Sequence, residues 1–251
     1  MPRNPPRIYV DCPLAKEGSV SFDTAQAHYL KNVLRLESGD IVAVFNGRDG
    51  EWHADISALG RKSAKATLAK QIRDQTAAHG PDLIFAPVKK SATDFIVAKA
   101  TELGADRLIP VLTEFTDTGR INIERLRANA IEAAEQCNRL DIPEISPAMR
   151  LPELIGNWPV DRPLIVADET GTGAPILTAL KTLPSGEAQP PAFVIGPQGG
   201  FSESELVFLR GLAFVTLVDL GPRILRAETA AAAVLTCWQA CRGDWISPAG
   251  G

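Results

Sequence analysis

Residues 192–205, Ala192-Phe-Val-Ile-Gly-Pro-Gln-Gly-Gly-Phe-Ser-Glu-Ser-Glu205, decide the fold. A short, wholly apolar run meets a glycine-rich turn and then a helix start, because Ser202 with Glu205 three residues on makes a capping box. The stretch Val215-Thr-Leu-Val-Asp-Leu-Gly-Pro-Arg-Ile-Leu-Arg-Ala-Glu-Thr-Ala230 repeats the plan. Its strand turns at Gly221-Pro222 into an Ala-rich helix expected from Ala227 to Cys241. Apolar strands alternating with helices predict an α/β fold, a parallel sheet covered on both faces.

The same rhythm reaches back to Leu83. Leu83–Ala86, Leu108–Leu112 and Leu164–Ala167 read as strands, and helices are expected over 91–103, 122–138 and 174–183 and from the Ser202–Glu205 box to Gly211. Ser91 with Asp94 makes another capping box, Asn122 another cap, and Gly104 a helix stop. Upstream the pattern changes. Arg7–Asp11, Ser19–Phe22, Asp40–Phe45, Glu51–Ser57 and Ala66–Lys70 read as strands. Asn46-Gly47 and Asp49-Gly50 mark a hairpin between the third and fourth, and one helix capped by Asp23 runs to about Leu34. The division is a small barrel over 1–74, a polar linker over 75–81 and a sheet domain over 82–251.

The chain has 251 residues, 45% hydrophobic, with four cysteines and a net charge of −4. That composition excludes disorder and a small disulfide scaffold. No apolar run approaches the roughly 18–20 residues of a membrane helix, and the first residues lack a signal-peptide core. Four cysteines read as reduced thiols of a cytoplasmic protein. The negative net charge speaks against nucleic acid only as an average. Residues 1–75 carry 11 Lys/Arg against 9 Asp/Glu, and the remainder 15 against 21.

The glycine turn Gly196-Pro-Gln-Gly-Gly200 is neither a dinucleotide fingerprint nor a P-loop. Glu203 and Glu205 would repel a phosphate at the helix start, so a neutral or cationic ligand fits better. Glu228 and Thr229 suit a helix start, whereas Arg226 there calls for a compensating partner. Cys237 and Cys241 have metal-ligand spacing, but no histidine accompanies them. They read as small buried thiols, and no metal is expected.

Ile195–Phe201 and Leu220–Ala230 together resemble the RsmE family of 16S ribosomal RNA uracil-N3 methyltransferases, of the SPOUT class. Arg7-Ile-Tyr-Val10, His28–Arg35, Ala98–Gly104, Glu135–Arg139 and Ile142–Ile145 are similar to further landmarks in the same order. The resemblance implies a SPOUT-type sheet with a C-terminal trefoil knot and an N-terminal PUA-like barrel that binds RNA. It implies S-adenosylmethionine as methyl donor, 16S rRNA in the 30S subunit as partner, and a homodimer with no membrane association. Carried over by position, the methyl donor meets Glu169, Gly196, Pro197, Gly199, Gly200, Leu220, Gly221, Ile224, Leu225 and Thr229. Arg226 stabilises charge on the uracil, and Glu228 orients Arg226. Arg7, Arg35, Lys89, Lys90, Arg139 and Gln198 face the RNA. Gln198 departs from the family's usual glutamate and cannot act as a base. Phe115 stands where relatives commonly have arginine. A SPOUT enzyme with another target nucleotide, or a non-catalytic RNA-binding or assembly protein, are the alternative readings.

Overall fold

The computed structural model describes residues 5–76, 79–117, 121–184 and 189–246. The chain packs as two units, Met1–Ala77 with Ala134–Ile142, and Ala78–Ala133 with Pro143–Gly251.

The first unit is built on strands β1 (Arg7–Tyr9), β2 (Ser19–Phe22), β3 (Ile41–Phe45), β4 (Glu51–Leu59) and β5 (Ala64–Arg73). They form one sheet in the order β1-β3-β4-β5-β2, with β1 parallel to β3 and the other pairs antiparallel. Register shifts between β4 and β5 bend the sheet around its core. Alternate residues such as Val20, Val42, Val44, Ala54 and Ala66 are fully buried there. The β3–β4 turn follows its sequence signal. Gly47 and Gly50 have φ of 79° and 73°, and the Asn46 side chain accepts from the N–H groups of Arg48 and Asp49. The expected helix after Asp23 is capped as read, with Gln26 completing the box, but α1 (Thr24–His28) passes into a π-helical turn, Tyr29–Val33.

Residues 134–142 join this unit without any sequence signal. Leu140 and Ala134 bury against Phe45, with Tyr9 and Ile142 alongside. Arg7 fastens them: it pairs with Glu51 at 2.5 Å and donates to the carbonyls of Ala134 and Arg139 at 2.6 and 2.7 Å. Its guanidinium also lies 4.3 Å from the centre of the Phe45 ring.

The second unit carries an all-parallel sheet of β6 (Asp82–Phe85), β7 (Arg107–Leu112), β8 (Glu144–Ile145), β10 (Leu164–Ala167), β11 (Ala174–Pro175), β12 (Ala192–Ile195) and β13 (Val215–Asp219), with β9 (Met149–Arg150) paired to β7. The order is β11-β13-β10-β12-β6-β7-β8. One sheet face, with Ile84, Val166 and Val194, buries the apolar sides of α4 (Leu151–Gly156) and α6 (Glu203–Arg210). On the other, Phe193 meets Trp238 of α7 (Ala227–Cys241) edge to face, and α7 packs with α2 (Lys90–Glu102) and α5 (Ile176–Thr182). Burial on both faces explains why the strands read as continuous apolar runs rather than alternating ones.

One cap differs from the sequence reading. Asp94 does not box with Ser91, because Arg125 at 2.6 Å and Asn129 at 2.8 Å of α3 (Ile123–Cys137) take its carboxylate. Thr93 instead accepts from the Val88 N–H and returns a bond to the Val88 carbonyl. The Asn122 and Ser202–Glu205 caps form as read. No helix among the described residues is long and apolar enough to cross a membrane.

Candidate active site

Three neighbouring strands, β13, β10 and β12, end side by side, and ligands of open α/β sheets bind at such carboxyl ends. A cavity of about 720 Å³ opens there, a volume ordinary for a small-molecule site. Ala167 and Ile195 form its floor, the turn Gly196–Gln198 one wall and residues 219–228 another. Glu169, Gly196, Pro197, Leu220, Gly221, Ile224 and Leu225 line it, as the sequence suggested for a methyl-donor pocket. Gly199, Gly200 and Thr229 do not. Arg226, Glu228, Gln198 and Lys89 line it as well, together with Asp168, Asp219 and Arg223, which the sequence reading missed. Asp168 directly follows β10 and Asp219 is the last residue of β13, and that placement at strand ends was the available signal.

Gly200 acts from behind the wall. Its φ is 72°, and a β-carbon there would collide with the Glu169 carboxylate. Gly200→Ala is therefore expected to push Glu169 away and strain the turn, costing about 1 kcal/mol or more. Thermal denaturation and calorimetric titration of the methyl donor check this, with both stability and affinity lowered.

The cavity is electrostatically mixed. Burial would raise the Asp168 carboxyl, but donors outweigh it: the Thr170 N–H and hydroxyl, the Thr172 hydroxyl and the Arg210 guanidinium hold it below the usual range. A depressed carboxyl stabilises the fold fully above its unfolded pKa of about 3.9, and that contribution is lost as pH falls through the lower folded value. The stability gap between the natural protein and Asp168→Asn should be widest at neutral pH and shrink below about pH 4, as measured by urea denaturation across pH. Glu169 behaves oppositely: burial, with the Asp168 charge beside it, pushes its carboxyl up. A neighbouring cation would relieve it.

The start of α6 is not an anion site. Glu205 accepts from the Ser202 N–H and the Glu114 N–H at 2.9 Å each, so the helix's positive end is already answered by its own carboxylate. A phosphate-bearing cofactor is disfavoured on that wall. The donor set instead suits S-adenosylmethionine: carboxylates for its sulfonium and amino charges, Arg223 for its carboxylate, and apolar Ile224 and Leu225 for the rest. Cys237, half-buried in α7, has its thiol pushed up by burial and the Cys241 charge, which keeps it protonated at neutral pH.

Glu228 and Arg226 are not paired. Arg226 is the N-cap residue of α7 and Glu228 lies two positions on, and residues at that spacing do not face each other. No ion pair joins them among the described residues, so Glu228 does not orient Arg226. One buried oxygen of Glu228, Oε2, has no hydrogen-bond partner at all among the described residues.

The RNA-facing set divides. Lys89, Lys90, Arg35 and Gln198 are exposed. Arg7 is not, since its side chain is 9% exposed and held by Glu51 and the carbonyls of Ala134, Glu135 and Arg139. Arg139 is equally buried and is bonded to Asp141 at 2.9 Å by two nitrogens. Both arginines serve packing of the N-terminal unit, because a desolvated guanidinium needs fixed acceptors. Phe115 is half-exposed, and a β-carbon at Gly199 would lie 3.5 Å from its side chain.

Comparison with known proteins agrees with this geometry. Residues 79–239 match an RNA methyltransferase domain, and residues 22–69 an RNA methyltransferase PUA domain. A ribosomal RNA small subunit methyltransferase E of Rickettsia conorii is 32% identical over 90% of this chain and 91% of its own length. A protein of the same name from Synechocystis is 32% identical over 85% of this chain and 70% of its own. The structure of a putative methyltransferase from Legionella pneumophila, in complex with bound SAM, superposes with a TM-score of 0.82 at 26% identity, covering 95% of this chain and 98% of that one. A Neisseria gonorrhoeae ribosomal RNA small subunit methyltransferase E shares the fold, with a TM-score of 0.84 at 23% identity, over 96% of this chain and 100% of that one.

Proposed function

The chain belongs to the ribosomal RNA small subunit methyltransferase E family, and we propose from that premise that it methylates N3 of a specific uridine in 16S rRNA of the 30S subunit. The observation that carries this reading is the cavity at the ends of β10, β12 and β13, where four carboxylates and Arg226 converge with no phosphate-binding turn. S-adenosylmethionine supplies an electrophilic methyl group when bound there. The chain's part is positioning. The 196–200 turn and residues 220–225 enclose the donor, and orientation of two reactants can contribute about 7–11 kcal/mol at best. Arg226, exposed at the cavity mouth, neutralises the charge that grows on the uracil oxygens as N3 becomes nucleophilic. N3 is hidden by base pairing in a duplex, so the target is unpaired or flipped.

The same reading carries the C-terminal trefoil knot, a homodimer, a cytoplasmic setting and RNA contacts from the N-terminal unit over 1–74. Arg35, Lys89, Lys90 and Gln198 are its RNA-facing residues. Binding to rRNA should weaken steeply with salt. Replacing Lys89 or Lys90 by alanine should each lower the slope of log K against log salt by about one, as read by filter binding. Mass spectrometry of nucleosides from 30S subunits incubated with the protein and S-adenosylmethionine tests the activity. N3-methyluridine is the expected product. Its absence above background overturns the reading, and methylation of another nucleoside would assign a different target.

A further inference from the structure

We infer that Glu228 is the group that takes the N3 proton, a step the carried-over positions leave without an owner. This rests on the uridine-N3 reading above. The observation is the orphaned oxygen: Oε2 is buried, belongs to a residue lining the cavity, and has no hydrogen-bond donor among the described residues. A buried carboxylate oxygen without a donor is costly, and native structures rarely keep one unless a ligand or a reaction uses it.

The other acceptors in the cavity are spoken for. Asp168 already receives bonds from Thr170 and Thr172 and is held below its ordinary range, which makes it a weak base. Asp219 accepts from the Gly221 N–H at 3.0 Å and shapes that turn. Gln198 is an amide. Neither His28, His53 nor His79 lines the cavity. Glu169 remains, but its carboxylate fills the space left by the missing side chain of Gly200, against the wall expected to enclose the donor.

Placement favours Glu228 over Glu169. Uracil presents an N–H flanked by two carbonyl oxygens. Arg226, a donor without acceptor capacity, and Glu228, an acceptor, enter the cavity from one loop-to-helix turn. The cavity thus offers a donor for a uracil C=O and an acceptor for its N–H. In the step itself the N3–H bond breaks and its proton passes to the Glu228 carboxylate. The N3 electron pair forms the new bond to the methyl carbon as the carbon–sulfur bond opens, and that bond's electron pair stays on sulfur. The positive charge lost at sulfur equals the proton gained by the carboxylate, which later releases it to water.

The test compares Glu228→Gln, Glu228→Asp and Glu169→Gln with the natural protein. For Glu228→Gln, calorimetry should give S-adenosylmethionine affinity within about threefold of the natural value, because general-base loss leaves ground-state binding intact. Single-turnover methyl transfer should fall about 10²- to 10⁴-fold. Its rate should then climb with pH as the uracil ionises unaided, and a 5-fluorouridine target, whose N3–H is more acidic, should rescue it more than it helps the natural protein. Lys89, Asp168, Glu169, Asp219, Arg223 and Arg226 share the cavity and are unchanged in this variant. Glu228→Asp should keep the natural pH profile at a lower rate. A natural single-turnover rate in Glu228→Gln overturns the assignment, as does lost donor affinity or the full rate loss appearing in Glu169→Gln instead. If the natural protein itself makes no N3-methyluridine, the functional reading fails, and that result is distinct from any of these.

Discussion

Replacing Arg226 by alanine is expected to slow methyl transfer about 10²- to 10³-fold while leaving the affinity for S-adenosylmethionine nearly unchanged. The reason is where the charge appears. The neutral uracil oxygens become partly anionic only as N3 loses its proton, so a guanidinium there acts on the transition state more than on the bound substrate. Arg226 is suited to that task because it sits at the cavity wall with no carboxylate paired to it among the described residues. Its position at the start of α7 also sets it against the positive helix end, an arrangement that costs stability and that an anionic partner would offset. The variant should therefore be no less stable than the natural protein. Single-turnover rates with saturating donor measure the effect. An unchanged rate would remove Arg226 from the chemistry without touching the fold. Arg226→Lys should recover only part of the loss, since a point charge does not reproduce the planar fork.

Asp82→Ala should destabilise the second unit strongly, by about 3–5 kcal/mol. Asp82 opens β6 in the interior of the parallel sheet and is almost wholly buried. One of its oxygens accepts from Arg107 Nη2 at 2.5 Å and from Arg162 Nη1 at 2.6 Å. Arg162 is itself buried, bonded to the Pro190 carbonyl and 5.1 Å from the centre of the Trp158 ring. Alanine would leave that guanidinium desolvated with its counter-charge gone. Asp82 also holds the Arg107 guanidinium above its usual pKa, which reports the same pairing. For a unit of this size the loss corresponds to a fall in Tm of roughly 10 °C. Scanning calorimetry, with Trp158 fluorescence as a local probe, checks it. Asp82→Asn keeps an acceptor and should cost less. A shift of a degree or two for Asp82→Ala would mean that Arg162 finds another acceptor.

Much of the sheet unit was legible because its signals are local. The strand ends at Ala167 and Ile195, the Ser202–Glu205 box and the start of α7 at Ala227 follow from apolar runs and from residues that satisfy helix ends within three positions. The cavity wall from Gly196 to Gln198 followed as well, since glycine and proline mark turns by their own backbone limits. Ser91–Asp94 failed for the complementary reason. A local motif competes with distant donors, and Arg125 and Asn129 on α3 are better partners for Asp94 than a backbone N–H.

The sequence by itself determined where strands and helices alternate, which turns carry glycine, and which family the two long motifs resemble. Only the tertiary structure decided what the charged residues do. Arg7 and Arg139 have the composition of an RNA-binding surface and are buried struts, because burial and partners depend on what 134–142 packs against. Glu228 and Arg226 are neighbours in sequence and not partners in space, and the unpaired oxygen that distinguishes Glu228 exists only once the walls around it are assembled. A side chain's type sets which bonds it can make. Which of them it makes is a property of the distances that folding imposes.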